Sequence, residues 1–191
     1  MKKITSFLLL ASVAYCAKPQ GIDVSSHQPN INWRSVKSNG VDFVYIKATE
    51  GTTFTSPTFN SQYTGAINSG LFRGAYHFAH PDVSSGATQA NFFLANGGGW
   101  AADGRTLPGA LDIEYNPNST GQRCYGLSAP AMITWIRDFS NTYHARTARY
   151  PVIYTTTDWW KTCTNNASGF QSNNPLWIAH WGSSIGELPE G

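Results

Sequence analysis

Three carboxylates sit where a strand end could use them. The run LPGALDIEYN carries Asp112 and Glu114 with one residue between them, and the run GIDVS carries Asp23. Successive strand side chains point to opposite faces, so Asp112 and Glu114 share a side, together with Ala110. Leu111 and Ile113 share the other side. In GIDVS, Asp23 lies opposite Ile22 and Val24. Two acids this close resist ionising together, and partial burial pushes the same way. One then keeps a proton near neutral pH while its neighbours carry charge. Glycoside hydrolysis needs that division: an acid protonates the leaving oxygen, and a carboxylate stabilises or attacks the sugar cation. The plainer alternative is two solvated acids ending an ordinary strand.

Aromatic residues gather at the same strand ends. Tyr76, Tyr154, Trp177 and Trp181 are candidates for stacking on sugar faces, since flat rings cover apolar C–H surface and Tyr and Trp add a polar handle. In a chain with seven Trp, aromatic core is the competing reading. Glu50, at the end of KATEG, is a candidate further carboxylate for the cleft; pairing with Lys47 or Arg73 at the surface is the alternative. His27, His77 and His80 lack the spacing and third ligand of a zinc site, so no metal or other cofactor is expected. Ser25 and Ser26 lack the setting of a nucleophile elbow.

The elements that must position these residues read as alternating strands and helices. Strands are expected at 21–25, 43–51, 72–79, 108–114, 151–156 and 175–181, and helices at 57–70, 84–96 and 128–143. In the last helix Met132, Trp135, Ile136, Phe139 and Tyr143 fall on one face, with Ser128 as N-cap. Such alternation predicts a parallel sheet covered by helices. An apolar outer face and a small-then-acidic inner face favour a barrel with acids at its C-terminal rim. An open doubly wound sheet is the alternative, but DVSSHQPN after the first strand is no nucleotide-binding loop.

The 191 residues suit one domain, and 14% aromatic with 13% charged residues excludes a disordered or coiled-coil chain. MKKITSFLLLASVAYCA, with Lys2 and Lys3 before an apolar run, predicts a secretory signal peptide over residues 1–16 and a mature domain over 17–191. The product is expected to be secreted and extracellular. Without those two lysines the 13 Lys+Arg fall to 11, against 11 Asp+Glu. Near-neutral charge gives no case for binding nucleic acid or an anionic membrane. Cys16 leaves with the leader, and the remaining Cys124 and Cys163 suggest one disulfide in an oxidising compartment. Asn118-Ser119-Thr120 and Asn166-Ala167-Ser168 are glycosylation sequons.

The successive motifs GIDVSSHQ, DFVYIKATEGTTF, RGAYHF, LDIEYN, PVIYTTTDWW and PLWIAHW resemble, in order and over essentially the whole mature chain, those of the family 25 glycoside hydrolases, the Ch-type lysozymes or muramidases. The resemblance implies an α/β fold, a TIM-like (β/α) barrel variant of eight strands and five helices. It implies hydrolysis of the β-1,4 bond between N-acetylmuramic acid and N-acetylglucosamine in peptidoglycan; a monomer is expected. The family's first-strand aspartate falls on Asp23 and its D-x-E pair on Asp112 and Glu114, with Glu114 matching the general acid. Its second-strand glutamate falls on Glu50, and the disulfide of fungal-like members matches Cys124 with Cys163. Whether a protein nucleophile or the substrate's own acetamido group attacks is left open by these residues; in the second scheme Asp112 orients the acetamide. After PLWIAHW the family has two further strands that this sequence does not show, so a barrel lacking its last two strands, and a poorly stable or inactive chain, is the expectation. A protein that binds peptidoglycan or chitin fragments without cutting them is the runner-up, and a chitinase ranks below it.

Overall fold

Runs rich in β-branched and aromatic residues form the strands, and glycine or asparagine closes most of the helices between them. The computed structural model describes residues 18–184 and 186–190, so the expected signal peptide lies outside the described residues. In chain order the elements are β1 (Gly21–Val24), α1 (Trp33–Ser38), β2 (Phe43–Glu50), β3 (Phe54–Thr55), α2 (Phe59–Asn68) and β4 (Phe72–Phe78). There follow α3 (Gly86–Ala95), β5 (Ala110–Asp112), α4 (Ala129–Thr147), β6 (Val152–Thr155), α5 (Thr157–Thr164) and β7 (Leu176–Ile178). Side-chain oxygens of Asn32, Ser85 and Thr156 accept from backbone N–H groups in the first turns of α1, α3 and α5.

All strands belong to one sheet in the order β1-β2-β4-β5-β6-β7, parallel throughout, with the short β3 paired antiparallel to β2. Each parallel connection carries a helix, as parallel pairing requires. The alternation read from the sequence holds in β1 and β5. Val24, Val44 and Ile46 turn outward to Ala66 and Leu71. Leu111, Ile113 and Ile153 turn outward to Phe93, Met132, Ile136, Phe139 and Tyr143, the apolar face of α4 and its neighbour α3. Gly86 lets α3 and α4 meet closely: a Cβ there would lie 2.3 Å from the Trp135 carbonyl oxygen and 2.6 Å from the Phe139 nitrogen.

The sheet is curled. Tyr45 of β2 and Trp177 of β7 have three strands between them, and a flat sheet would separate their backbones by about 19 Å. Their ring centroids are 5.3 Å apart. Gly74 makes room for this, because a Cβ there would lie 2.4 Å from the Tyr45 ring. The architecture is thus an α/β half-barrel with five helices. Among the described residues the sheet is open, with β1 and β7 at its edges, rather than the closed barrel of eight strands that the resemblance implies. Closure needs hydrogen-bonded strands between those two edges. No helix among the described residues is long and apolar enough to cross a membrane.

His77 faces outward from β4 into this core, where it is fully buried against the rings of Phe93 and Phe139. Its Nδ1 accepts from the Thr49 hydroxyl at 2.8 Å, and its Nε2 donates to Gln89 Oε1 at 2.9 Å. Burial pushes its pKa from 6.5 to about 4, against the opposing hydrogen bond to Gln89. Between those values the unfolded chain takes up a proton that the folded chain refuses. Stability from this group therefore falls as pH drops through that window, by roughly 3 kcal/mol in all. His77→Gln is expected to be less stable than the parent at pH 7, with the deficit narrowing by about 2–3 kcal/mol at pH 4.5 in urea titrations. An equal deficit at both pH values would show that His77 is not held neutral.

Candidate active site

The inner face of the sheet turns acidic at the C-terminal strand ends. Strand pairing sets a row across it: Glu50 opposite Phe78, Phe78 opposite Asp112, Asp112 opposite Tyr154, and Tyr154 opposite Trp177. The chain leaves the ladder just after Asp112, which shortens β5 to three residues, yet the Ile113 N–H still donates to the Tyr154 carbonyl at 2.9 Å. That bond carries the alternation one step further and turns Glu114 inward beside Asp112. Asp23 of β1 reaches the same hollow. A cavity of about 180 Å³ is lined by Asp23, Tyr76, Ala110, Asp112, Glu114, Tyr154 and Trp177. A larger trough of about 610 Å³ lies lower on the same face, but its lining is mainly apolar, from Phe43, Tyr45, Leu107, Val152 and Trp177.

The three acids have different surroundings. Asp112 is buried, and its Oδ1 has no hydrogen-bond partner. Burial first, then the negative charges of Glu114 and Asp23, raise its pKa well above the ordinary aspartate value, and the charge of Lys47 opposes them. Glu114 is half-buried. Burial raises its pKa, a hydrogen bond from the Tyr154 hydroxyl works against this, Asp23 adds to the rise, and the net shift is upward. Asp23 is exposed at the rim. Burial and the surrounding acids push the Tyr154 and Tyr76 phenols upward, so both stay protonated. Tyr154 can then donate to Glu114. The pocket thus sets a half-buried acid whose anion is disfavoured beside a buried carboxyl and a solvated one, with aromatic walls. That set can protonate a leaving oxygen and stabilise a developing cation.

The aromatic candidates divide. Tyr76, Tyr154 and Trp177 line the pocket, and the Tyr154 and Trp177 rings meet edge to face with centroids 4.8 Å apart. Trp181 does not: β7 ends at Ile178, and Trp181 stands 99% exposed outside the pocket lining. Glu50 is also absent from that lining. Its carboxylate is taken up by Lys47 Nζ at 2.6 Å and His80 Nε2 at 2.8 Å. Burial alone would raise its pKa, but these two partners outweigh it and hold it below the usual glutamate value. Of the pairings left open for Glu50, Lys47 is the one formed, while Arg73 binds Asp103 at 2.6 Å.

Cys124 and Cys163 form a disulfide that ties the segment after β5 to α5. The Tyr115 hydroxyl donates to Asp158 Oδ2 at 2.7 Å alongside it, so the residue following Glu114 is anchored to the same helix. The Ser25 hydroxyl, with no nucleophile-elbow setting, accepts from the His27 backbone N–H at 3.2 Å. Among the described residues no group of three His, Cys, Asp or Glu side chains is arranged to hold a metal ion.

A family model described as glycosyl hydrolases family 25 matches residues 22–188. The chain is 57% identical over 172 residues to lysozyme M1 of Streptomyces globisporus, a match covering 90% of this chain and 58% of that protein. It is also 57% identical over 172 residues to the N,O-diacetylmuramidase of Arthroderma benhamiae, covering 90% of this chain and 72% of the relative. The chain thus spans less than two thirds of the first relative's length. Among solved structures, the muramidase from Acremonium alcalophilum superposes with a TM-score of 0.89 at 59% identity, over 91% of this chain and 83% of that one. A family GH25 lysozyme from Aspergillus fumigatus gives 0.87 at 56% identity, over 90% and 81%.

Proposed function

The chain belongs to the glycosyl hydrolases of family 25, and from that premise we propose that it is a muramidase cutting the β-1,4 bond between N-acetylmuramic acid and N-acetylglucosamine in bacterial peptidoglycan. The observation that carries the reading is the convergence of Asp23, Asp112 and Glu114 on one aromatic-walled pocket. The names of its relatives, a lysozyme and an N,O-diacetylmuramidase, point the same way. The curl of the sheet and its five helices support reading the fold as the family's barrel variant.

In this mechanism Glu114 is the general acid. Burial and Asp23 disfavour its anion, and it delivers a proton to the glycosidic oxygen as the bond lengthens. Asp112 serves the acetamido group of the reacting sugar. Its unpartnered Oδ1 suits an acceptor for the acetamide N–H, which supports attack by the substrate's own carbonyl with Asp112 orienting it. Asp23, exposed and opposite, adds negative charge where the sugar cation develops. Tyr76 and Trp177 present apolar surface to the sugar rings. The place of work is outside the cell, a reading that rests on the basic-then-apolar run at residues 1–16.

The test is direct. The purified protein is expected to clear a suspension of bacterial walls and to release fragments with N-acetylmuramic acid at the reducing end. Clearing would also overturn the expectation of an inactive chain. Constant turbidity with no new reducing ends would sink the enzyme reading, and N-acetylglucosamine ends alone would redirect it to another glycosidase.

A further inference from the structure

Strand β2 carries an irregularity beside the pocket. Lys47 pairs with Tyr76 and Thr49 with the next residue, His77, so Ala48 has no counterpart on β4. In a regular strand, residues three apart face opposite sides. The bulge cancels that alternation and turns both Lys47 and Glu50 to the inner face, while Ala48 is buried in the outer core. Lys47 is held from several directions. Its Nζ donates to Glu50 Oε2 at 2.6 Å and lies 4.8 Å from the centre of the Phe78 ring. His80 Nε2 holds the other Glu50 oxygen at 2.8 Å. The Lys47 and His80 side chains are only 16% and 12% exposed. Tyr76, the register partner of Lys47, and Asp112, the register partner of Phe78, both line the acid pocket.

We infer that Lys47, presented by the bulge and locked by Glu50 and His80, is a positioning residue that sets the charge balance of Asp112 and Glu114. This deepens the glycosidase reading, and its kinetic arm rests on that reading. The charged groups that face the ammonium come from every side of the inner face. Glu50 is on its own strand, His80 follows β4, and Asp112 and Glu114 come from the end of β5. The phenols of Tyr76 and Tyr125 stay protonated because burial raises them. The ammonium favours the anions of Asp112 and Glu114 and so opposes burial at both. The Glu50–His80 clamp keeps that charge at a fixed place while substrate enters and leaves.

Carboxyl carbon NMR titration of the parent and of Lys47→Met tests this without relying on turnover. In Lys47→Met, the Asp112 and Glu114 carboxyls are expected to bind protons about threefold or more tightly, so both curves move to higher pH. Lys47→Arg should restore most of the parent behaviour. In wall-clearing assays the acid limb of the kcat/KM profile should move the same way. Superposable carboxyl titrations in a folded Lys47→Met would overturn the inference. Should that variant melt at working temperature, His80→Phe is titrated instead: a smaller move to higher pH supports the clamp, and coincidence with the parent refutes it. A parent that cuts no wall defeats the glycosidase reading, while the titrations still decide the role of Lys47.

Discussion

Glu114→Gln is expected to fold like the parent, to keep its hold on wall fragments, and to lose roughly 10²–10⁴-fold in turnover. The size of the loss follows from the chemistry. A glycosidic oxygen is a poor leaving group until it receives a proton, and only a group that holds one at working pH can supply it. Burial first, with Asp23 adding to it, raises the pKa of Glu114 and so favours its protonated form. Glutamine keeps the shape and can still accept from the Tyr154 hydroxyl, so the pocket and its aromatic walls should survive. The interaction lost exists only in the transition state, so kcat should fall with KM little changed. Turnover and fragment binding measured together separate the readings. Loss of turnover with intact binding fits the acid. Turnover within threefold of the parent would remove Glu114 from that role. A parent that binds fragments without cutting them would favour the binding-protein alternative.

The alternation in LDIE and GIDV was enough to place Asp23, Asp112 and Glu114 on one face, because both strands are regular where it matters. The α4 face was equally legible: Met132, Trp135, Ile136, Phe139 and Tyr143 are all buried. Glu50 shows where the same reasoning stops. Period-two alternation assumes an unbroken ladder, and the unopposed Ala48 breaks it. A bulge leaves no residue signature in KATEG, and only the pairing with β4 reveals it. The helices α1 and α5 are short, with six and eight residues, too few for an apolar period to emerge. In α5 the buried Trp159 and Trp160 lie beside a strand-like run, which hides the change of element. Trp181 carries the opposite lesson, since residue type marked it for sugar while the end of β7 at Ile178 sets it apart from the pocket. Curl, finally, is a long-range property: it depends on Tyr45 meeting Trp177 across three strands, with Gly74 making room.

Asp112→Asn is expected to be more stable than the parent while losing roughly 10²-fold or more in turnover. The two effects share one cause. A buried carboxyl whose Oδ1 has no partner is costly to the folded state, by about 1–3 kcal/mol and more when charged. Its raised pKa expresses that cost as a dependence on pH. The folded state keeps the proton at pH values where the unfolded chain has already lost it, so the folded state loses ground as pH rises through this range. The stability advantage of asparagine should therefore be largest at pH 8 and small near pH 4, where even the unfolded aspartate is only about half ionised. At pH 8 a gain of that size raises the melting temperature by about 2–4 °C per kcal/mol in a chain of this length. Asparagine removes the buried charge, and with it the anion that the reaction uses. Melting curves at the two pH values, set beside wall clearing, test both halves. A variant less stable than the parent at pH 8, with the deficit shrinking at pH 4, would show that Asp112 is an ionised structural anchor and would take from the mechanism the carboxyl that orients the acetamide.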